Sequence, residues 1–190
     1  MDNSVVLLQR VVDETTHLFD NVGDDQLGNA TPCTEWTIRD LMNHVTGGAT
    51  MFAVSAEQGS VPDELIGQLM GGDNLGDDPH GAWQVASQRA LDVYAQPDVL
   101  EKMVTLPFGE MPGGVALDIA VFDVATHAAD LATASGQRIQ DEELLEAALA
   151  IGKRMVGPEL RQPGVFGDEQ AASDDAPVTD RLLAFAGRKV

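Results

Sequence analysis

The feature that most constrains this chain is the stretch from Leu117 to Gly136, LDIAVFDVATHAADLATASG, which reads as one long helix. Gly136 is typical of the left-handed residue that ends a helix. Asp123, His127 and Asp130 follow one another at spacings of four and three residues, which places their side chains on one helical face. A carboxylate and an imidazole one turn apart form half of a divalent-metal site. A histidine from elsewhere in the chain would complete it.

His44 is the candidate for that second histidine. It lies in a predicted helix over residues 38–58, in which Thr37 and Asp40 have a spacing like that of a capping box. Steps of about 100° per residue place His44 at one edge of the apolar stripe of this helix. The same steps place the three polar residues of the central helix at an edge of its own stripe. Edge positions on two packed helices can face each other across a cleft, as in metal sites built within helical bundles.

Two imidazoles and one carboxylate, from His44, His127 and Asp123, would leave coordination positions open for water or substrate. Zinc is the expected ion, iron uses the same ligand types in the facial triad, and nickel and manganese stay open. Asp130 would accept a hydrogen bond from an imidazole and orient it. The spacing is also explained by a His127 that is merely buried and hydrogen-bonded, because structural polar networks use the same groups.

The rest of the chain favours an all-α fold in a single domain over residues 1–190. Apolar residues recur at helical spacing in several segments, which begin at capping residues such as Ser4, Asp78 and Asp141. Four or five long helices joined by irregular connections predict a helical bundle. The predicted elements are long helices over about residues 4–21, 38–58, 80–96, 115–135 and 142–156, a short helix at 63–70, an extended piece or hairpin between 97 and 114, and a final helical turn or two at 180–187.

Composition limits the partners and the compartment. The chain has 31 acidic and 11 basic residues and a formal charge of −20, which disfavours nucleic acid and anionic membranes as partners. The first ten residues lack the basic and apolar regions of a signal peptide, and no stretch approaches the roughly 18 apolar residues of a membrane span. Cys33 is the only cysteine, so a disulfide within the chain is impossible. We therefore expect a cytoplasmic protein.

Cys33 is also an alternative nucleophile. It lies between Pro32 and Thr34, without a histidine or lysine beside it in the sequence to lower its pKa. An ordinary small thiol is the favoured interpretation.

Three blocks of the sequence resemble one family. They are TPCTEWTIRDLMNHV (residues 31–45), FDVATHAADLATASGQ (residues 122–137) and DRLLAFAGR (residues 180–188). The chain is similar in these blocks to actinobacterial metal-binding proteins related to the N-terminal domain of mycothiol-dependent maleylpyruvate isomerase, within the DinB-like superfamily. The resemblance implies a DinB-like four-helix bundle with short additional helices, and a divalent metal held by His44, Asp123 and His127. Many relatives carry glutamate where this chain has the shorter Asp123.

The resemblance also implies a function, namely a metal-dependent thiol S-transferase. The metal would activate a low-molecular-weight thiol such as mycothiol for attack on a small electrophile, since a divalent cation deprotonates a coordinated thiol. The alternatives are a non-enzymatic protein that binds a metal or a small ligand, and a bundle with a vestigial site. The isomerase has a separate C-terminal domain for which this chain lacks room, so we do not expect isomerase activity. Bacterial bundles of this size often pair, and a homodimer is a further expectation.

Overall fold

The longest helix of the molecule is the one predicted to carry the polar residues, and it lies at the centre. A computed structural model describes residues 3–34, 36–161 and 166–189. The elements in chain order are α1 (Asn3–Asp20), α2 (Ile38–Gln58), α3 (Asp63–Gly71), α4 (Pro79–Tyr94), β1 (Met103–Leu106), β2 (Gly109–Pro112), α5 (Gly113–Ser135), α6 (Glu142–Met155) and α7 (Val178–Phe185).

Four of these helices form a closed bundle. Helix α1 packs against α4 and α5, and α2 packs against the same two helices from the other side. The apolar faces of the four helices meet in one core, as expected from their stripes of Leu, Val, Ala and Phe residues. The predicted all-α helical bundle is confirmed. The segment between α4 and α5, predicted as an extended piece or hairpin, forms the antiparallel pair of β1 and β2.

Helices α6 and α7 pack against α5 outside the bundle, so that α5 is covered on nearly all sides. Its exposed surface is therefore small, and two of its polar residues are interior. His127 is 7% exposed and Asp130 is 0% exposed, whereas Asp123 keeps partial contact with solvent. Helical periodicity, which places both residues at an edge of the apolar stripe, does not predict this burial. None of the helices in the described residues combines the length and the apolar composition that a membrane span requires.

The helix ends follow local rules that the sequence predicts. The expected capping box forms at the start of α2. The Asp40 backbone donates to the Thr37 hydroxyl, and the Thr37 backbone donates to the Asp40 carboxylate. The Asp141 carboxylate accepts a hydrogen bond from the backbone of Leu144 at the start of α6. Gly136 ends α5 in the left-handed region, with a φ of 74°. The packing of their apolar faces in the core, by contrast, sets the rotation of α2 and α5 and the direction in which their polar residues point.

Close contact between α5 and α6 depends on Gly152, and this generates a prediction. A Cβ atom at Gly152 would overlap the ring of Phe122, which is 3% exposed and cannot move into solvent. We expect Gly152→Ala to lower the free energy of unfolding by about 1–3 kcal/mol, the usual cost of overpacking. The matched control is Gly67→Ala, because Gly67 lies in exposed helix α3 with open space around it and should gain about 0.5–1 kcal/mol. Urea denaturation measures both; equal effects would contradict the packing described.

Candidate metal centre

Helix α2 packs against α5 and brings His44 beside the polar face of the central helix. His44, Asp123 and His127 each offer one ligand atom, and these three atoms lie within 4.8 Å of one another. The two imidazole rings meet edge to face, with centroids 4.9 Å apart and an interplanar angle of 75°. The Nε2 atom of His127 lies 3.7 Å from an Asp123 oxygen. The structure thus brings the three predicted ligand residues together.

Trp36 covers the two imidazoles from the loop before α2. Its ring centroid lies 4.6 Å from that of His44 and 5.7 Å from that of His127. The loop is held by backbone hydrogen bonds from Trp36 to the Cys33 carbonyl and from Thr31 to the Trp36 carbonyl. The indole therefore forms a wall of the site and limits the movement of both histidines. The sequence placed Trp36 in a recognisable block without showing this contact.

Asp130 contacts the opposite side of the His127 ring. Its Oδ2 atom lies 3.1 Å from Nδ1 of His127. A carboxylate only accepts hydrogen bonds, so Nδ1 donates to Asp130, and Nε2 is the nitrogen that lies towards Asp123. The Asp130 carboxylate thus restrains the orientation of the ring, and its predicted role beside a bound metal stays a prediction. No Asp130 oxygen lies within 4.8 Å of all three ligand atoms of His44, Asp123 and His127.

The charge of Asp130 is balanced by Arg188, which sequence reasoning missed. The Nη2 atom of Arg188 lies 2.9 Å from Oδ2 of Asp130. Burial disfavours the charged carboxylate, but hydrogen bonds from His127 and Arg188 outweigh that effect and hold the pKa of Asp130 below its ordinary value. A buried acidic residue needs a cation, and that requirement is the one signal that could have prompted a search for Arg188.

His44 has the properties of an available ligand. Burial lowers its pKa, and the attraction of Asp123 offsets this effect only partly. The imidazole is therefore neutral at neutral pH, as metal ligation requires. Neither ring nitrogen is hydrogen-bonded to another of the described residues, so a lone pair is free on the side of Asp123 and His127. Two imidazoles and a carboxylate in this arrangement fit a divalent transition-metal ion.

Cys33 lies close to the buried end of the site. Its Sγ atom is 3.7 Å from Nη2 of Arg188, and it can be grouped with ligand atoms of His127 and Asp130 within 4.8 Å. Burial raises the pKa of the thiol despite the opposing effect of Arg188. Cys33 therefore has charged and polar neighbours in space that its neighbours in the sequence do not provide. The raised pKa of the thiol nevertheless favours an unreactive cysteine over a nucleophile.

Comparison with known proteins places this chain in a family. The family model described as the mycothiol maleylpyruvate isomerase N-terminal domain matches residues 8–132, which include all three candidate ligands. Two proteins of Mycobacterium tuberculosis are 39% identical over 188 residues, covering 96% of each chain. They are Uncharacterized protein MT0763 of strain CDC 1551 and Uncharacterized protein Rv0738 of strain H37Rv.

Solved structures show the same fold. The crystal structure of the mycothiol-dependent maleylpyruvate isomerase aligns with a TM-score of 0.62 at 18% identity, and a histidine-to-alanine variant of it aligns with 0.64 at 15%. The alignments cover 76% and 78% of this chain but only 65% of the isomerase chain. A DinB-like protein from Bacillus subtilis aligns with a TM-score of 0.58 at 14% identity, covering 71% of this chain and 91% of its own. At these identities the structures establish the fold.

The two carboxylates of the site should differ in their effect on stability. Asp130→Ala leaves the Arg188 guanidinium in a buried position without its partner, and we expect a loss of about 3 kcal/mol in the free energy of unfolding. Asp123 is 29% exposed and makes only a long contact with His127, so Asp123→Ala should change stability by less than about 1 kcal/mol. Thermal and urea unfolding of both metal-free variants provide the measurement. A larger loss for Asp123→Ala than for Asp130→Ala would contradict the assigned geometry.

Proposed function

The chain belongs to the mycothiol maleylpyruvate isomerase N-terminal domain family, and we propose that it binds one divalent metal ion through His44, Asp123 and His127. The observation that carries the proposal is the convergence of their three ligand atoms within 4.8 Å, two of them from the central helix and one from α2. We further propose that the site serves a thiol S-transferase whose co-substrate is a low-molecular-weight thiol of the mycothiol type. Zinc is the proposed ion.

The donor set and its surroundings support this choice. Three protein ligands leave at least one coordination position for a small molecule, as in catalytic rather than structural zinc sites. Imidazole nitrogens prefer zinc, nickel or iron to magnesium or calcium. Burial lowers the pKa of His44 and so favours the neutral form that ligates a metal, and the hydrogen bond from Nδ1 of His127 to Asp130 leaves Nε2 on the side of the other ligands. The names of the solved relatives link the same fold to mycothiol-dependent chemistry.

The chemistry that such an ion would supply is the deprotonation of a coordinated thiol at neutral pH. The protein residues around it have separate tasks. Trp36 shields the imidazoles from bulk water on one side, and Asp130 keeps the His127 ring in one tautomer. Asp123 and His44 are both partly exposed whereas His127 is buried, so reactants would approach from the side of Asp123 and His44. The electrophile itself, like the pairing of two copies, remains a prediction.

Gly48 keeps that side of the site open. It lies one helical turn after His44, and a Cβ atom there would meet only an oxygen of Asp123, at 3.7 Å. Among the described residues, apart from the neighbours of Gly48 in its own helix, no other side chain lies within 4 Å of that Cβ position. A thiol substituent of moderate size could approach the ligands across Gly48, which makes this glycine the natural site at which to test access.

Metal binding is the first test. Protein purified without a histidine tag should bind about one equivalent of Zn²⁺ by isothermal titration calorimetry. Because removal of an orienting residue alone costs roughly 10–100-fold in affinity, we expect His44→Ala and His127→Ala to weaken binding by more than about 100-fold. His80→Ala is the matched control, since His80 is partly exposed on α4, pairs with Asp20 and is not among the candidate ligands. Absence of stoichiometric binding in a folded wild type would refute the proposal.

Access of the thiol is the second test. Gly48→Leu should place an apolar side chain beside Asp123, while Gly48→Ala should fit with ordinary contact. We expect Zn²⁺ affinity to change by less than about threefold in both variants, because no ligand is removed. Thiol-transfer rates with mycothiol and a panel of electrophiles should fall at least tenfold in the leucine variant only. A zinc-loaded wild type that binds thiol without turnover would identify a binding protein instead of an enzyme.

A further inference from the structure

Arg188 reaches the candidate metal centre from the turn that follows α7, without belonging to the ligand set. Its Nε and Nη2 atoms lie 3.2 Å and 2.9 Å from the two carboxylate oxygens of Asp130. Its Nη1 atom donates to the Ala186 carbonyl at 2.8 Å. Only 11% of the Arg188 side chain is exposed, and Asp130 is its one ion-pair partner among the described residues. The guanidinium thus donates a hydrogen bond from each of its three nitrogen atoms, which fixes its position.

The local sequence explains why Arg188 arrives at this point. Gly187 has a φ of 90°, and the backbone of Arg188 donates to the Leu183 carbonyl while that of Gly187 donates to the Ala184 carbonyl. These two bonds form a Schellman motif, which requires the left-handed residue at Gly187. The backbone of Gly187 also approaches Gly167 so closely that a side chain would not fit. The turn therefore has one conformation, and it directs Arg188 back towards α5.

The geometry of Asp130 gives this arginine an effect on the site. Oδ2 is shared by Nδ1 of His127 and Nη2 of Arg188, while Nε engages Oδ1. Two parallel contacts from a planar guanidinium define the plane of a carboxylate, which one hydrogen bond from an imidazole cannot do. The plane of the carboxylate in turn sets the direction in which His127 donates. Loss of the guanidinium would leave the carboxylate, and with it the His127 ring, free to rotate.

We propose that Arg188 is a positioning residue of this centre, which acts through Asp130 to hold His127 with Nε2 directed at the ligand atoms of His44 and Asp123. The proposal rests on the function proposed above, because its consequence is a higher affinity for metal. It also means that α7 and its turn complete the site without contributing a ligand.

The tautomer of His127 tests the proposal in metal-free protein. Long-range ¹H–¹⁵N spectra distinguish protonated from unprotonated imidazole nitrogens, and the chain has only four histidines. The His127 signals are assigned by comparison with His127→Gln. We expect a single Nδ1-protonated form in the wild type and an average of two tautomers in Arg188→Met. This measurement does not depend on whether the site binds metal.

The affinity for Zn²⁺ provides the second readout, with a control on α7, the helix that precedes the turn of Arg188. Arg181 also anchors α7, through an ion pair with Glu146 and a hydrogen bond to the Ala176 carbonyl, but it does not contact Asp130. We expect Arg188→Met to weaken Zn²⁺ binding by about 10–100-fold, the usual effect of losing an orienting contact. Arg181→Met should lower stability and leave the affinity within about twofold. Equal effects of the two variants on affinity would show a merely structural role and overturn the proposal.

Two more variants keep the test decisive if Arg188→Met folds poorly. Arg188→Lys retains the charge but not the planar pair of donors, and we expect it to fold and to weaken Zn²⁺ binding by about tenfold. If Arg188 acts through Asp130, the effect of Arg188→Lys should disappear in an Asp130→Asn background, since coupled residues are not additive. Additive effects, or a wild-type affinity and tautomer in Arg188→Lys, would refute the proposal. A wild type without Zn²⁺ binding would refute the proposed function, and the tautomer spectra would still decide whether Arg188 orients His127.

Discussion

The rest of the structure depends on the hydrogen bonds and the ion pair that the fully buried carboxylate of Asp130 forms. A charge removed from water is costly unless charged and hydrogen-bonding partners replace the solvent, and here the partners are His127 and Arg188. One comes from the same helix and the other from the turn after α7. The contact therefore docks the last helix onto the central one and, at the same time, orients an imidazole of the candidate metal centre. Stability and site geometry share one network.

The helix boundaries could be predicted from the sequence because they depend on a few neighbouring residues. The capping box of Thr37 and Asp40, the capping carboxylate of Asp141 and the left-handed Gly136 all occur where the local pattern indicates. The environment of α5 could not be predicted in this way. Helical periodicity gives the angle between two side chains, but not how many other helices cover them. His127 and Asp130 are interior because α6 and α7 pack on the outer side of α5.

The same distinction applies to the candidate site. His44, Asp123 and His127 could be selected because two lie one turn apart and the family resemblance indicates the third. Arg188 lies 58 residues from Asp130 in the sequence, and its role follows from the position of α7, which no local pattern encodes. Trp36 is similar, since its loop is close to His127 only when α2 packs against α5. Contacts between distant segments are thus what the structure adds to the chemistry of the site.

The charges around the site favour a particular class of ion. Asp130 is paired with Arg188 and His44 is neutral, which leaves Asp123 as the one uncompensated carboxylate among the candidate ligands. The site therefore carries the charge of one carboxylate, and electrostatic attraction alone gives little selectivity among divalent cations. Its selectivity would come from the donor atoms, and two imidazole nitrogens favour a borderline transition metal over magnesium or calcium. Such ions also bind thiolate sulfur well, so the donor set and the proposed thiol co-substrate are chemically consistent.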